Sequence, residues 1–135
     1  MRKLLTPVFV LFFTFGCASA DLLREAETPE QKYWAALNIF DVYDGAALTI
    51  AQDPNTSVAV RQNLKRARTV AKEALFLAEV AYRVLLDTRA SLAASPGDDN
   101  SLDTLNAALT AFNARSAEAF ARVDSFSRVI DEIQE

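Results

Sequence analysis

Histidine is absent from this 135-residue chain, and cysteine and methionine each occur once, at Cys17 and Met1. Without histidine there is no imidazole general base and no imidazole metal ligand. The Glu-x-x-His pattern of di-iron helical bundles is excluded with it, and so is haem ligation by His or Met within the mature chain. Glycine occurs three times, at Gly16, Gly45 and Gly97, so no Gly-rich loop is available to cradle a phosphate. Serine and threonine are plentiful, yet none has a histidine to activate it. These absences argue for a protein that is not an enzyme, with no metal and no cofactor.

The cysteine stands in Thr14-Phe15-Gly16-Cys17-Ala18-Ser19-Ala20-Asp21. Before it come Met1-Arg2-Lys3 and an apolar run from Leu4 to Phe15. A basic start, a short apolar stretch and small residues after it describe a secretory signal peptide. The run is too short for a spanning helix, which needs about 20 apolar residues, and Pro7 disturbs it further. Residues 1–20 are therefore expected to be a cleaved leader. Ala18-Ser19-Ala20 offers an ordinary cut before Asp21. Gly16-Cys17-Ala18 resembles the end of the bacterial lipoprotein lipobox, although Thr14 and Phe15 depart from that box. The place of Cys17 at the end of the apolar run favours lipid attachment there, with cleavage before Cys17. By either route no free thiol survives, which excludes disulfides and thiol catalysis.

With the leader removed, about 115 residues remain, one small domain, expected to span residues 28–135. The whole chain has 14 basic and 18 acidic residues and a net charge of −4. Loss of Arg2 and Lys3 leaves 12 basic against 18 acidic, a net −6. Such a surface discourages binding to nucleic acid.

Three periodic segments follow, separated by two breaks. Thr28-Pro29-Glu30-Gln31 predicts a helix start, with Thr28 as N-cap, Pro29 at the first position and Gln31 closing a capping box. This helix is expected to reach about Ala51, where Asp53-Pro54-Asn55-Thr56-Ser57 stops it. The second pattern runs from about Val58 to Ala93. Ser95-Pro96-Gly97 and the polar residues after it form the second break, with Ser101 as a candidate N-cap. The third runs from Leu102 almost to the end. Apolar positions recur by fours and threes in all three: Phe40, Tyr43 and Ala47; Leu64, Ala67 and Ala71; Phe112, Ser116 and Ala119. A spacing averaging 3.5 keeps one seam toward a partner helix. Consecutive seam alanines from Ala67 to Ala81 permit close approach. The fold class is all-α: an antiparallel three-helix bundle with coiled-coil-like seams. Gly45 falls inside the first helix, where it either permits a close crossing or marks a break capped by Asp44.

Between Ala74 and Leu86 the second helix is apolar nearly all round. The preferred reading makes this stretch central, covered by both neighbouring helices, and the soluble domain a monomer. The alternative makes Phe76, Leu77, Val80 and Val84 an exposed contact surface or the lining of a ligand cavity.

A basic stripe, Arg61, Lys65, Arg68 and Lys72, steps along one face of the same helix. It could hold phosphates or anionic lipid headgroups. Hairpin register favours a structural role: paired positions summing to about 109 set Asp44 against Lys65 and Asp41 against Arg68. Asp41 with Asp44, and the terminal Asp131, Glu132 and Glu135, are carboxylate clusters read as solvated or ion-paired helix residues.

"TPEQKYWAALNIFDVYDGAA", followed by a helix rich in Arg and Ala, resembles small alanine-rich helical lipoproteins and secreted proteins of proteobacteria and their phages. The resemblance covers the first two helices. It implies an exported, helical cell-envelope protein and transfers no active site. In lipoproteins of that kind, Ala18 after the cysteine implies the outer membrane, facing the periplasm; a soluble periplasmic or secreted protein is the alternative. The function expected is contact with a protein partner of unknown identity. A carrier of an apolar small molecule and an inhibitor or immunity-type protein are the runners-up.

Overall fold

A computed structural model describes Ala26 and residues 28–96 and 99–135. Three helices occur among them and no strand: α1 (Pro29–Gln52), α2 (Val58–Ala94) and α3 (Asp99–Gln134). The leader and Cys17 lie outside the described residues.

Each helix end has a local cause. Thr28 Oγ1 accepts from the Gln31 N–H at 3.2 Å, and Gln31 Oε1 accepts from the Thr28 N–H at 3.0 Å. That reciprocal box, with Pro29 supplying a fixed φ and no donor to orphan, starts α1 as expected. At the other end the Asp53 N–H donates to the Thr49 and Ile50 carbonyls. Asp53 Oδ1 then accepts from the Asn55 N–H at 2.8 Å, bending the chain into the turn. Thr56 Oγ1 donates to the Ile50 carbonyl at 2.6 Å, which ties the turn back to α1. Ser57 caps α2 by accepting from the Val60 N–H. The start of α3 corrects one expectation. The helix begins at Asp99, so Ser101 lies inside its first turn and is not the residue before it.

The three helices alternate in direction. Tyr33 packs near Phe112, Phe40 near Phe126, and Tyr43 near Asp131. Residue numbers rise together in those pairs, so α1 and α3 run parallel. Between α1 and α2 they run oppositely: Glu30 pairs with Arg89 and Asp44 with Arg68. The seam residues meet inside. Phe112, Val123, Phe126 and Ile130 of α3 are fully buried, with Ile39 of α1 and Leu64 and Leu85 of α2 around them. Ser116, also fully buried, stays in the seam because its hydroxyl donates to the Phe112 carbonyl at 2.6 Å. At the end where α1 begins, Tyr33, Trp34, Tyr82 and Phe112 form an aromatic cluster with ring centroids 5.0–6.4 Å apart.

The expectation that α2 is central is overturned. The α2–α3 interface is the most extensive, α1–α3 comes next, and α1–α2 is the least. The central element is α3. Its seam carries phenylalanine, valine and isoleucine, which reach both neighbours, whereas the seam of α2 is mostly alanine. Ala71 and Ala78 are fully buried, and their small side chains let the α2 backbone lie close on α3 without reaching around it. In addition, α1 has 24 residues against 37 in α2.

Gly45 likewise fits neither expectation. α1 is continuous through it, the residue is exposed, and an added Cβ would meet nothing within 4 Å. A helical glycine of this kind carries only its entropic cost. Gly45→Ala should therefore stabilise the fold by about 0.5–1 kcal/mol, measured as a rise in the urea midpoint at unchanged slope. A loss of stability would show that the helix needs flexibility at this point.

Candidate functional site

The stretch from Ala74 to Leu86 divides into two faces. One is buried: Ala74, Leu75, Ala78 and Leu85 lie in the core, and Tyr82 joins the aromatic cluster. The other is open. Phe76 is 61% exposed, Val84 52%, Val80 43% and Leu77 37%. The coverage expected for these four residues is absent, because both partner helices sit on the opposite half of the α2 circumference. At about 100° per residue, Leu85 and Ala78 point toward α3 and Arg68 toward α1. Leu77, Val80 and Val84 point away from α1, on the outer side of α2. The expectation of a monomer rested on that coverage and loses its ground.

The open face has a pattern of its own. Val70, Leu77, Val80 and Val84 step by seven, three and four, and Arg66 and Asp87 extend the same spacing at either end. This is a second seam at coiled-coil spacing, with Glu73 as its polar interruption. Where it meets α3, a groove of about 320 Å³ opens between the two helices. Val84, Thr88 and Leu92 line it on one side and Ser101 and Thr104 on the other. Its walls are largely polar at the α3 edge, and it is open to solvent. Further uncovered apolar residues sit on α1, where Trp34, Val42 and Leu48 are each about half exposed.

The basic stripe is partly committed to α1. Arg68 donates two hydrogen bonds to the Asp44 carboxylate, one from Nε to Oδ1 and one from Nη2 to Oδ2 at 3.0 Å. The expected partners were Lys65 for Asp44 and Asp41 for Arg68, so the register differs by one helical turn. Side chains lean toward the N-terminus of their helix. The long Arg68 therefore leans toward the turn and meets Asp44 before Asp41. Arg61 Nη2 donates to the Asp53 carbonyl at 2.8 Å and closes the turn from the α2 side. Lys65 and Lys72 remain exposed. With both arginines engaged, the four residues do not converge on a common anion.

Two carboxylates are displaced from their usual range, in opposite directions. The hydrogen bond from Arg68 lowers Asp44; burial works against it, and the Arg68 and Lys72 charges help. Asp131 is raised, mainly by burial and then by Glu135, although the Tyr43 hydroxyl donates to it at 3.4 Å and opposes the shift. Glu79 and Arg83 form their i,i+4 pair on the rim of α2. Among the described residues no group of three or more acidic residues is placed to hold a metal ion, and no helix is long and apolar enough to cross a membrane.

Searches among known protein families, curated proteins and solved structures find no match to the chain.

The Asp44–Arg68 pair makes a prediction about acid stability. A carboxylate held below its usual value stabilises the folded state above its unfolded pKa, about 3.9, and loses that contribution as pH falls through the lowered folded value. Wild type should exceed Asp44→Asn in stability at neutral pH, and the difference should vanish in strong acid. Because Arg68 is more than a third exposed, the coupling in a double-mutant cycle should be only about 0.5–1 kcal/mol. A pH-independent difference would mean that Asp44 acts through packing alone.

Proposed function

We propose that this protein is a non-enzymatic helical module of the cell envelope, tethered by a lipid on Cys17 and working through protein–protein contact made by the outer face of α2. The observation that carries the contact reading is the row of uncovered apolar side chains, Phe76, Leu77, Val80 and Val84, on a chain of net negative charge. Uncovered apolar residues arranged in one continuous strip are the usual mark of an interaction surface. The tether is supported by the basic start, the apolar run and the small residues around Cys17. The likeness of "TPEQKYWAALNIFDVYDGAA" to exported helical lipoproteins points the same way and favours the outer membrane. Carriage of an apolar molecule inside the bundle is disfavoured, since Phe112, Phe126, Val123 and Ile130 fill the seam of α3.

The mass of the mature N-terminus tests the tether. A diacyl- or triacyl-modified Cys17 is expected, together with release from the membrane fraction in Cys17→Ser. An unmodified chain starting at Asp21 in the soluble periplasm would overturn the tether and leave the contact reading to be tested by itself.

A further inference from the structure

The outer seam of α2 has a charge order that fits a second copy of itself. Arg66 stands at its N-terminal end, Asp87 at its C-terminal end, and the apolar positions Val70, Leu77, Val80 and Val84 lie between. Arg66 and Asp87 are both exposed and neither forms an ion pair with another described residue. We propose that two copies of this chain associate through this seam, α2 against α2 and antiparallel, with Arg66 of each copy facing the partner's Asp87. The inference rests on the contact reading above and names the occupant.

Direction follows from charge. In a parallel pair like-numbered positions meet, so Arg66 would face the partner's Arg66 and Asp87 the partner's Asp87, and both contacts repel. Turning one helix end for end sets opposite charges together at both ends of the seam. It also lays Val70 over the partner's Val84 and Leu77 over the partner's Leu77, with Val80 beside the partner's Glu73. The register that sets Val70 on the partner's Val84 also places Arg66 opposite position 88, one residue from the partner's Asp87. The contact is isologous, so two copies satisfy it and no fibre propagates.

Area sets the strength. Val70, Phe76, Leu77, Val80 and Val84 together leave on the order of 400 Å² of side-chain surface uncovered, comparable to the functional patch of many monomers. A standard interface takes about 800 Å² from each partner, and the polar rim supplies the remainder. Glu73 interrupts the seam and weakens it. The expected dimer is reversible and dissociates at micromolar concentration.

Charge exchange provides the test, read by sedimentation equilibrium on the mature protein. Arg66→Asp and Asp87→Arg should each weaken the dimer by about tenfold or more, since each homodimer places two like-charge pairs across the interface. Mixed in equal amounts, the two variants should associate about as well as wild type, because both contacts become attractive again. Both sites are exposed, so helicity and melting temperature should stay unchanged. Association driven by a lipid or by the leader would ignore these exchanges. A dimer indifferent to both variants and to their mixture would overturn the proposal. A monomer at 100 µM (roughly a hundredfold above a micromolar Kd) would overturn it too. If that monomer dimerises once residues 21–27 are removed, the strip belongs to the chain's own N-terminal segment. If Val80→Asp instead abolishes its complex with a different envelope protein, the contact reading stands without self-association.

Discussion

The seam of α3 is the interaction on which the bundle depends. Phe112, Ser116, Ala119, Val123, Phe126 and Ile130 are all fully buried along one line of a single helix. α1 leans on that line through Phe40 and Tyr33, and α2 through its alanines. α1 and α2 meet each other only along a narrow margin, which the Asp44–Arg68 and Glu30–Arg89 pairs occupy at either end. Ion pairs so placed add little energy. Their effect is on register, because a slipped hairpin would part each charge from its complement.

This division of labour explains the bare face of α2. A helix in a three-helix bundle touches two neighbours, and those two cover only part of its circumference. α3 comes closer to that limit, since the far side of its seam carries alanines such as Ala114 and Ala121 with Thr110, Arg128 and Glu132, and no second row of large apolar side chains. α2 exceeds it, because Val70, Leu77, Val80 and Val84 repeat the seam spacing on its outer side. Two seams on one helix call for more partners than a single chain supplies. The contact reading and the self-pairing proposal both start from this mismatch between apolar pattern and available cover.

Much of the fold was legible in the sequence. The fours-and-threes rhythm marked the buried face of every helix, and the Thr28-Pro29-Glu30-Gln31 box marked the start of α1. Ranking the helices was harder. Being apolar all round suggested that α2 was buried, but periodicity alone does not say how many neighbours cover a helix. The size of the seam residues, alanine in α2 against phenylalanine in α3, was the signal that separates the peripheral helix from the central one. The ion-pair register lies one turn from the one that axial spacing implies, because a long arginine leans toward the N-terminus of its helix. The outer seam was present in the spacing of Arg66, Val70, Leu77 and Val84. It acquires meaning only once both neighbours are known to lie on the opposite side.

The central claim is that α3 holds the fold, with α2 packed on it most extensively and α1 less so. Site-resolved amide hydrogen exchange tests it most directly. Amides of α3 from Phe112 to Ile130, and those of α2 facing them, should exchange only through global unfolding. α1 amides should exchange at a distinctly lower opening free energy, as one separate cooperative unit. If all three helices open together at one free energy, or if α1 is protected as long as α3, the hierarchy described here is contradicted.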